Sequence, residues 1–277
     1  MALNWPTFFT RLGSAIVFAV IMMTGLLWNV LAFMILISFI QVLCLREYFR
    51  LVKKIHADIT WPGWLPFIVQ VVSLVWLWLL FDSFYGSASW PLLLWFPAFI
   101  ILATTLSKKT EWQSGLLSLT GMLYIMLPTM LLLMLRMTSI IIPLALILML
   151  WVNDTMAYLV GSFIGKTPFS EISPKKTWEG TLGGVILTIL GAAIWGYFSH
   201  YYRMIDWMIL SLFVSIAGTA GDLLESKLKR IANVKDSGTM MPGHGGALDR
   251  FDSLLIATPF AFCYAYFFMP PLPLVIF

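Results

Sequence analysis

The charged residues of this chain concentrate in one stretch, residues 222–253, which also contains a run of glycines. Within these 32 residues lie five basic and five acidic side chains: Lys227, Lys229, Arg230, Lys235 and Arg250, with Asp222, Glu225, Asp236, Asp249 and Asp252. Between them, residues 242–246 read Pro-Gly-His-Gly-Gly. Carboxylates can bind a divalent cation, basic groups can neutralise phosphates, and glycines let backbone N–H groups approach an anion closely. The combination indicates metal-assisted phosphoryl chemistry.

Three of these groups are spaced to share one face of a helix. Asp222, Ser226 and Lys229 lie at positions i, i+4 and i+7, and Glu225 lies at the edge of the same face. The preceding residues, 217–221, are all small. Small residues allow neighbouring membrane helices to approach closely, which could bring acids from separate helices together.

Asp154 is a second acid in an apolar setting, because it follows the hydrophobic run 140–152. An ionisable group within a membrane span usually faces a polar cavity. The alternative is that Asp154 lies in the last turn of its helix and is simply in contact with water.

The segment 165–180 is a second polar region. Ser173 and Pro174 predict a helix start, with Ser as the N-cap and Pro at the first helical position. Lys175 and Lys176 would then lie in the first turn, where cations oppose the helix dipole unless an anion binds there. Anion binding and a general excess of positive charge at a cytoplasmic surface fit these residues equally well.

The composition defines the class of protein that positions these residues. The chain is 60% hydrophobic and 11% charged, with a mean hydropathy of +0.91, whereas soluble domains carry about 25% charged residues. Apolar runs of roughly 20 residues, long enough to cross the hydrocarbon core, recur along the chain. The sequence therefore predicts an all-α fold, a polytopic transmembrane helical bundle without a separate soluble domain.

We predict nine membrane spans and a cytoplasmic N-terminus. The spans fall at about 12–28, 30–46, 64–81, 90–106, 113–135, 139–163, 180–199, 206–226 and 251–270. This arrangement places 15 of the 17 Lys and Arg residues on the cytoplasmic side, a strong positive-inside asymmetry. The C-terminus is then outside, and loops 164–179 and 227–250 are cytoplasmic. Spans one to five form an N-terminal region, 1–135, and spans six to nine a catalytic region, 136–277.

Several motifs at fixed spacing are carried by the C-terminal half. They are Ser226-Lys-Leu-Lys-Arg230, Lys235-Asp236, Pro242-Gly-His-Gly-Gly246, Asp249-Arg250 and Asp252, together with residues 172–180 and 153–161. This set resembles the signature of the phosphatidate cytidylyltransferases, the CDP-diacylglycerol synthases. The similarity extends from about residue 153 to the end, and the N-terminal half is similar only in hydropathy.

The resemblance implies transfer of CMP from CTP to phosphatidate, which gives CDP-diacylglycerol and pyrophosphate, with Mg²⁺ as cofactor. We expect Asp222 and Asp249 to converge and bind the metal, and a second metal or a monovalent cation is left open. Lys229 and Ser226 are expected to act beside them in catalysis. Asp252 is expected to cap the ninth helix or to pair with Arg250.

Further residues are expected to contact the substrates. They are Asp154, Ser173, Lys175, Lys176, Arg230, Lys235, Asp236, Gly243, His244, Gly245, Gly246 and Arg250. The sequence does not decide whether the paired lysines hold the pyrophosphate end of CTP or the lipid headgroup. It leaves His244 equally open between a phosphate contact and a hydrogen bond that stabilises a turn.

The expected partners are CTP, phosphatidic acid and the lipid bilayer, with no nucleic acid. The resemblance suggests a homodimer, and the short termini and loops favour a bacterial inner membrane with the site facing the cytoplasm. One alternative is a CTP-dependent polyprenol kinase of similar architecture, which would transfer the γ-phosphate. A transporter is the other, although transporters place broken helices and charges near the bilayer midplane in paired halves.

Overall fold

In the computed structural model, which describes residues 5–83, 95–106, 111–240 and 245–269, every regular element is helical. The helices are α1 (Trp5–Trp28), α2 (Val30–Ile55), α3 (Leu65–Ser83), α4 (Trp95–Thr105), α5 (Glu111–Gly121), α6 (Leu127–Thr138), α7 (Ile141–Ile164), α8 (Trp178–Ser199), α9 (Met204–Ile231) and α10 (Leu248–Phe268). A π-helical segment, Met122–Met126, joins α5 to α6. Extended pairing within these ranges is limited to an isolated bridge between Pro168 and Thr177. The predicted all-α fold is confirmed.

Seven helices of the described chain are long and apolar enough to cross a membrane. They are α2, α3, α7, α8, α9, α10 and the continuous helix Glu111–Thr138 formed by α5, the π-helical segment and α6. Each coincides with a predicted span. The other two predicted spans, 12–28 and 90–106, fall on apolar helices α1 and α4, and the described part of α4 has 11 residues. The protein is therefore an integral membrane protein with at least seven candidate spans.

The chain divides into two compact units. The first comprises residues 1–133 and 231–250, and the second comprises residues 134–230 and 251–277. Segment 231–250, which the sequence assigns to the catalytic region, thus folds with the N-terminal helices.

In the first unit, α2 is fixed by buried polar contacts with the helix 111–138. The Tyr48 hydroxyl donates to the Leu117 carbonyl oxygen at 2.9 Å, and Thr129 Oγ1 donates to Gln41 Oε1 at 2.5 Å. Polar groups in an apolar environment must find such partners, because water is not there to replace them. These bonds fix the position of α2 against the helix 111–138.

In the second unit, small residues let helices approach at backbone distance. A Cβ at Gly221 on α9 would lie 2.5 Å from the Asp252 carbonyl oxygen on α10, and one at Gly218 would lie 2.5 Å from Leu150 Cδ2 on α7. The close packing predicted from residues 217–221 is confirmed. It brings α7 and α10 beside the end of α9 that carries the charged residues.

The predicted helix start at Ser173 is wrong. Helix α8 begins at Trp178, and its N-cap is Thr177, whose side-chain oxygen accepts from the Gly180 N–H at 3.2 Å. Thr177 has an extended backbone (φ −119°, ψ 153°), which directs its hydroxyl to the free N–H groups of the first turn. Residues 165–177 therefore form a loop, and the Ser-Pro pair lies in a turn within it.

The close approach of α9 and α10 predicts unequal effects of two glycine substitutions. Gly221→Ala should lower the melting temperature by roughly 2–10 °C, because overpacking costs about 1–3 kcal/mol. Gly191 on α8 has nothing within 4 Å of the added Cβ, so Gly191→Ala should leave the temperature unchanged or raise it slightly. Thermal unfolding in detergent measures both, and equal melting temperatures would contradict the packing.

Candidate active site

The polar end of α9, residues 222–230, carries two ion pairs within the second unit. Lys176 in loop 165–177 places Nζ 2.5 Å from Asp222 Oδ2, and Lys229 Nζ lies 2.5 Å from Glu225 Oε2. Glu225 is fully buried, whereas the side chains of Lys176 and Asp222 are 31% and 32% exposed. The loop is therefore fastened to α9 through the more accessible of the two pairs.

Acids from α7 and α10 join this cluster. The charges of Asp222, Asp154 and Lys229 all act on the Asp252 carboxyl, which is buried and accepts from the Ser253 N–H at 2.6 Å. Asp154 is exposed and lies ten residues before the end of α7, so the alternative of a last-turn position is wrong. The small residues of α9 let α7 and α10 pack against it, so each of these two helices brings an acid toward the polar end of α9.

Within the first unit, Asp249 binds residues near both ends of the segment 237–248, which we call the glycine loop and whose described parts are 237–240 and 245–248. Its Oδ2 accepts hydrogen bonds from the Ser237 N–H at 2.9 Å, the Ser237 hydroxyl at 3.0 Å and the Gly246 N–H at 2.7 Å. Helix α10 begins at Leu248, so Asp249 lies in its first turn. Asp252 is then the fifth residue of α10, and the prediction that it caps this helix is wrong.

The left-handed backbone of Gly245 (φ +80°) requires glycine at this position. Space leads to the same conclusion, since a Cβ there would lie 2.6 Å from Asp249 Oδ2 and 3.5 Å from Asp236 Oδ1. The loop therefore brings both of these acids beside one glycine. Gly243 and His244 lie outside the described residues.

The remaining predicted residues lie in loops or near the ends of helices. Arg230 in the last turn of α9, Lys235 after it, Arg250 in the first turn of α10 and Lys175 in loop 165–177 are exposed. Ser226 is half-buried on α9. Their roles toward a substrate stay predictions, and so does the convergence of Asp222 and Asp249.

Loop 165–177 is ordered by Glu179 in the first turn of α8. The Glu179 carboxylate accepts from the Lys166 N–H at 3.1 Å, the Thr167 N–H at 3.1 Å and the Thr167 hydroxyl at 2.8 Å. Phe169 packs edge-on against Trp178, with 4.5 Å between ring centroids. The loop thus has a folded base that supports its two neighbouring lysines.

Sequence reasoning missed Glu47 and Ser237. Glu47 on α2 is 6% exposed and accepts from the Ser237 hydroxyl at 2.7 Å, the Leu248 N–H at 2.8 Å and the Ala247 N–H at 3.0 Å. The predicted span 30–46 ended one residue before it, whereas α2 continues to Ile55. The apolar periodicity continues through the basic last turns of α2, and it indicates that Glu47 lies within the helix. It does not indicate which residues Glu47 binds.

The Lys176–Asp222 pair predicts a cross-link between the loop and α9. In a chain with both native cysteines replaced, Lys176→Cys with Asp222→Cys should be joined by a short bifunctional thiol reagent, because the two side chains meet. Met204→Cys with Asp222→Cys is the matched control, because these residues lie on one helix, α9, roughly 27 Å apart at 1.5 Å per residue. Mass spectrometry of the digest measures both yields. Equal yields in the two pairs would contradict the contact.

The chain is similar in sequence to several curated proteins named phosphatidate cytidylyltransferase. Phosphatidate cytidylyltransferase of Bacillus subtilis is 45% identical over 115 residues, which is 41% of this chain and 43% of that protein. The Synechocystis protein of the same name is 40% identical over 139 residues, 49% of this chain and 46% of its own length. That of Haemophilus influenzae is 42% identical over 128 residues, 44% of each chain.

These matches cover a little under half the length of the curated relatives. A family model described as the cytidylyltransferase family matches a much longer part of the chain, residues 9–268. That range includes both compact units, the ion-paired end of α9 and the glycine loop. The chain belongs to the cytidylyltransferase family.

Proposed function

We propose that this protein is a phosphatidate cytidylyltransferase that makes CDP-diacylglycerol and pyrophosphate from CTP and phosphatidate. The observation that carries the proposal is the polar end of α9, where Lys176 pairs with Asp222 and Lys229 pairs with Glu225, in a membrane-embedded member of the cytidylyltransferase family. The names of the relatives that match at 40–45% identity support the lipid substrate.

The proposed reaction is a displacement at phosphorus. A phosphate oxygen of phosphatidate attacks the α-phosphorus of CTP, the bond from that phosphorus to the bridging oxygen breaks, and pyrophosphate leaves with this oxygen. Phosphoryl transfer depends mainly on positioning and charge neutralisation, so a nucleophilic side chain is not required. The cations among the predicted substrate-binding residues would supply the neutralisation.

Lys176 is the cation best suited to meet the nucleotide. Its pair with Asp222 is about a third exposed, so bound phosphate could share the ammonium group without desolvating a buried charge. Lys229 is more enclosed, with 14% of its side chain exposed, and remains tied to buried Glu225. We assign Lys176 to direct phosphate contact and Lys229 to the electrostatic environment of the acids.

Mg²⁺ is the proposed cofactor. Within the described residues no group of three or more acidic, His or Cys side chains could hold a metal ion. Mg²⁺ usually takes one or two carboxylates and completes its shell with water and substrate phosphates. Asp222 and Asp249 are the proposed ligands, and the bound ion would neutralise charge on the nucleotide phosphates.

We further propose nine spans, a cytoplasmic N-terminus and an external C-terminus, in a bacterial inner membrane. The distribution of 15 of 17 basic residues supports this orientation. A site at the cytoplasmic surface would receive CTP from water and phosphatidate from the adjacent leaflet. A homodimer is proposed from the family resemblance.

The reaction can be tested directly. Purified protein given labelled CTP and phosphatidate should produce CMP-bearing lipid and pyrophosphate with Mg²⁺ present, and excess EDTA should abolish turnover. Chromatography of lipid and aqueous products measures both. Release of CDP with a phosphorylated lipid would identify the kinase reaction instead, and absence of CTP consumption would contradict the proposed function.

Asp249→Asn should retain folding and membrane insertion but lose nearly all transfer activity. The Asn carbonyl can still accept the bonds that order the glycine loop, whereas the charge needed at the metal is gone. Asp58→Asn, the same change in an exposed loop, should keep wild-type activity. Steady-state rates compare the two, and more than about a tenth of the wild-type rate, or about 1.4 kcal/mol of barrier, would exclude Asp249 as a metal ligand.

A further inference from the structure

We propose that Glu47 is a positioning residue, which holds the glycine loop and the Asp249 carboxylate in their working geometry from helix α2. The proposal rests on the proposed function insofar as the loop serves CTP. It concerns a residue outside the motifs of the C-terminal half, and all the contacts that support it lie within the first compact unit.

Glu47 supplies the cap that the start of α10 lacks. The residue before Leu248, the first residue of α10, is Ala247, whose side chain cannot accept a hydrogen bond. Glu47 Oε1 accepts from the Ala247 N–H at 3.0 Å, and Oε2 accepts from the Leu248 N–H at 2.8 Å. A carboxylate from α2 thus binds free N–H groups at the positive end of the α10 dipole.

Ser237 connects Glu47 to Asp249. Its Oγ lies 2.7 Å from Glu47 Oε2 and 3.0 Å from Asp249 Oδ2. A hydroxyl has one proton, so it donates to one carboxylate at a time while holding both at a fixed separation. Moving the Glu47 carboxylate therefore displaces the Ser237 hydroxyl, which also bonds to Asp249 Oδ2.

Two glycines show how closely the loop encloses Glu47. A Cβ at Gly238 would collide with Glu47 Oε1, and a Cβ at Gly246 would collide with Glu47 Oε2 and the Ser237 hydroxyl. Gly246 is part of the Pro-Gly-His-Gly-Gly motif, which the sequence links only to phosphate approach. Its lack of a side chain is also required to admit the glutamate.

Glu47 can act as a positioning group because α2 is itself fixed. The contacts of Tyr48 with Leu117 and of Gln41 with Thr129 hold the helix on both sides of Glu47 in sequence. Groups that orient a ligating residue through hydrogen bonds typically affect activity by about 10–100-fold. We therefore expect a substitution of Glu47 to lower kcat/KM for CTP by more than its effect on the melting temperature alone would explain.

Glu47→Gln tests this assignment. Gln offers one acceptor oxygen and turns an NH₂ group toward N–H donors, so kcat/KM for CTP should fall about 10–100-fold while KM for phosphatidate stays unchanged. Tyr264→Phe is the matched control, because it removes a hydroxyl donor from another buried carboxylate, Asp206, near the far end of α10 and away from the loop. It should lower the melting temperature comparably and leave kcat/KM for CTP within about twofold, well below the effect of an orienting group.

A double-mutant cycle separates positioning from stability. Ser237→Ala leaves both backbone donors to Glu47 in place, so it keeps the test open if Glu47→Gln fails to fold, and it should lower kcat/KM for CTP severalfold. Combined with Glu47→Gln its effect should be strongly non-additive, since both act through one hydroxyl. Additive losses in the cycle, or wild-type kinetics in Ser237→Ala and Glu47→Gln, would overturn the proposal while leaving the proposed function intact.

Failure of the proposed function gives a different pattern. If the wild-type protein shows no CTP-dependent transfer, the proposed function is refuted. Hydrogen–deuterium exchange of residues 237–250 would then test, without any activity assay, whether Glu47 holds the glycine loop in place. Glu47→Gln should speed exchange of the Ala247 and Leu248 amides at least tenfold over Tyr264→Phe. Equal exchange in the two variants would overturn the role of Glu47.

Discussion

The structure depends on one constraint: a carboxylate removed from water must be given donors or a cation by the protein itself. Glu47 is held by two backbone N–H groups and a hydroxyl, and Glu225 is held by Lys229. At the other end of α9, buried Asp206 accepts two hydrogen bonds from Arg203 and one from Tyr264. Glu47 joins α2 to the glycine loop, and Asp206 joins α9 to α10 through Tyr264, so these two acids decide which segments must be neighbours. The Glu225 pair stays within one turn of α9.

Features set by local sequence were predictable. Hydropathy over a window of about 20 residues locates the seven long apolar helices, because the cost of exposing polar groups to lipid acts on each helix separately. The shared face of Asp222 and Lys229 follows from helical spacing, and the close approach at Gly221 follows from the small residues around it. The presence of acids at the polar end of α9 was also predicted, because it too follows from helical spacing.

Features decided by distant partners were not predictable. Ser173 and Thr177 are both good N-caps, and the choice between them follows from Glu179, which binds the N–H groups of Lys166 and Thr167 and so keeps the intervening segment a loop. Glu47 meets donors 190 to 201 residues away, and no periodicity in α2 indicates them. Its surroundings in sequence are those of an ordinary amphipathic helix end.

The long separation between Glu47 and its donors has a consequence for biosynthesis. Helix α2 is made early, and Ser237 follows 190 residues later, which is roughly 10 to 40 s at a translation rate of about 5–20 residues per second. During that interval the carboxylate has none of its loop donors, so water must hydrate it instead. Glu47 lies near the basic end of α2, about two turns from Lys53 and Lys54. At that position water can hydrate its carboxylate until the rest of the chain has been synthesised.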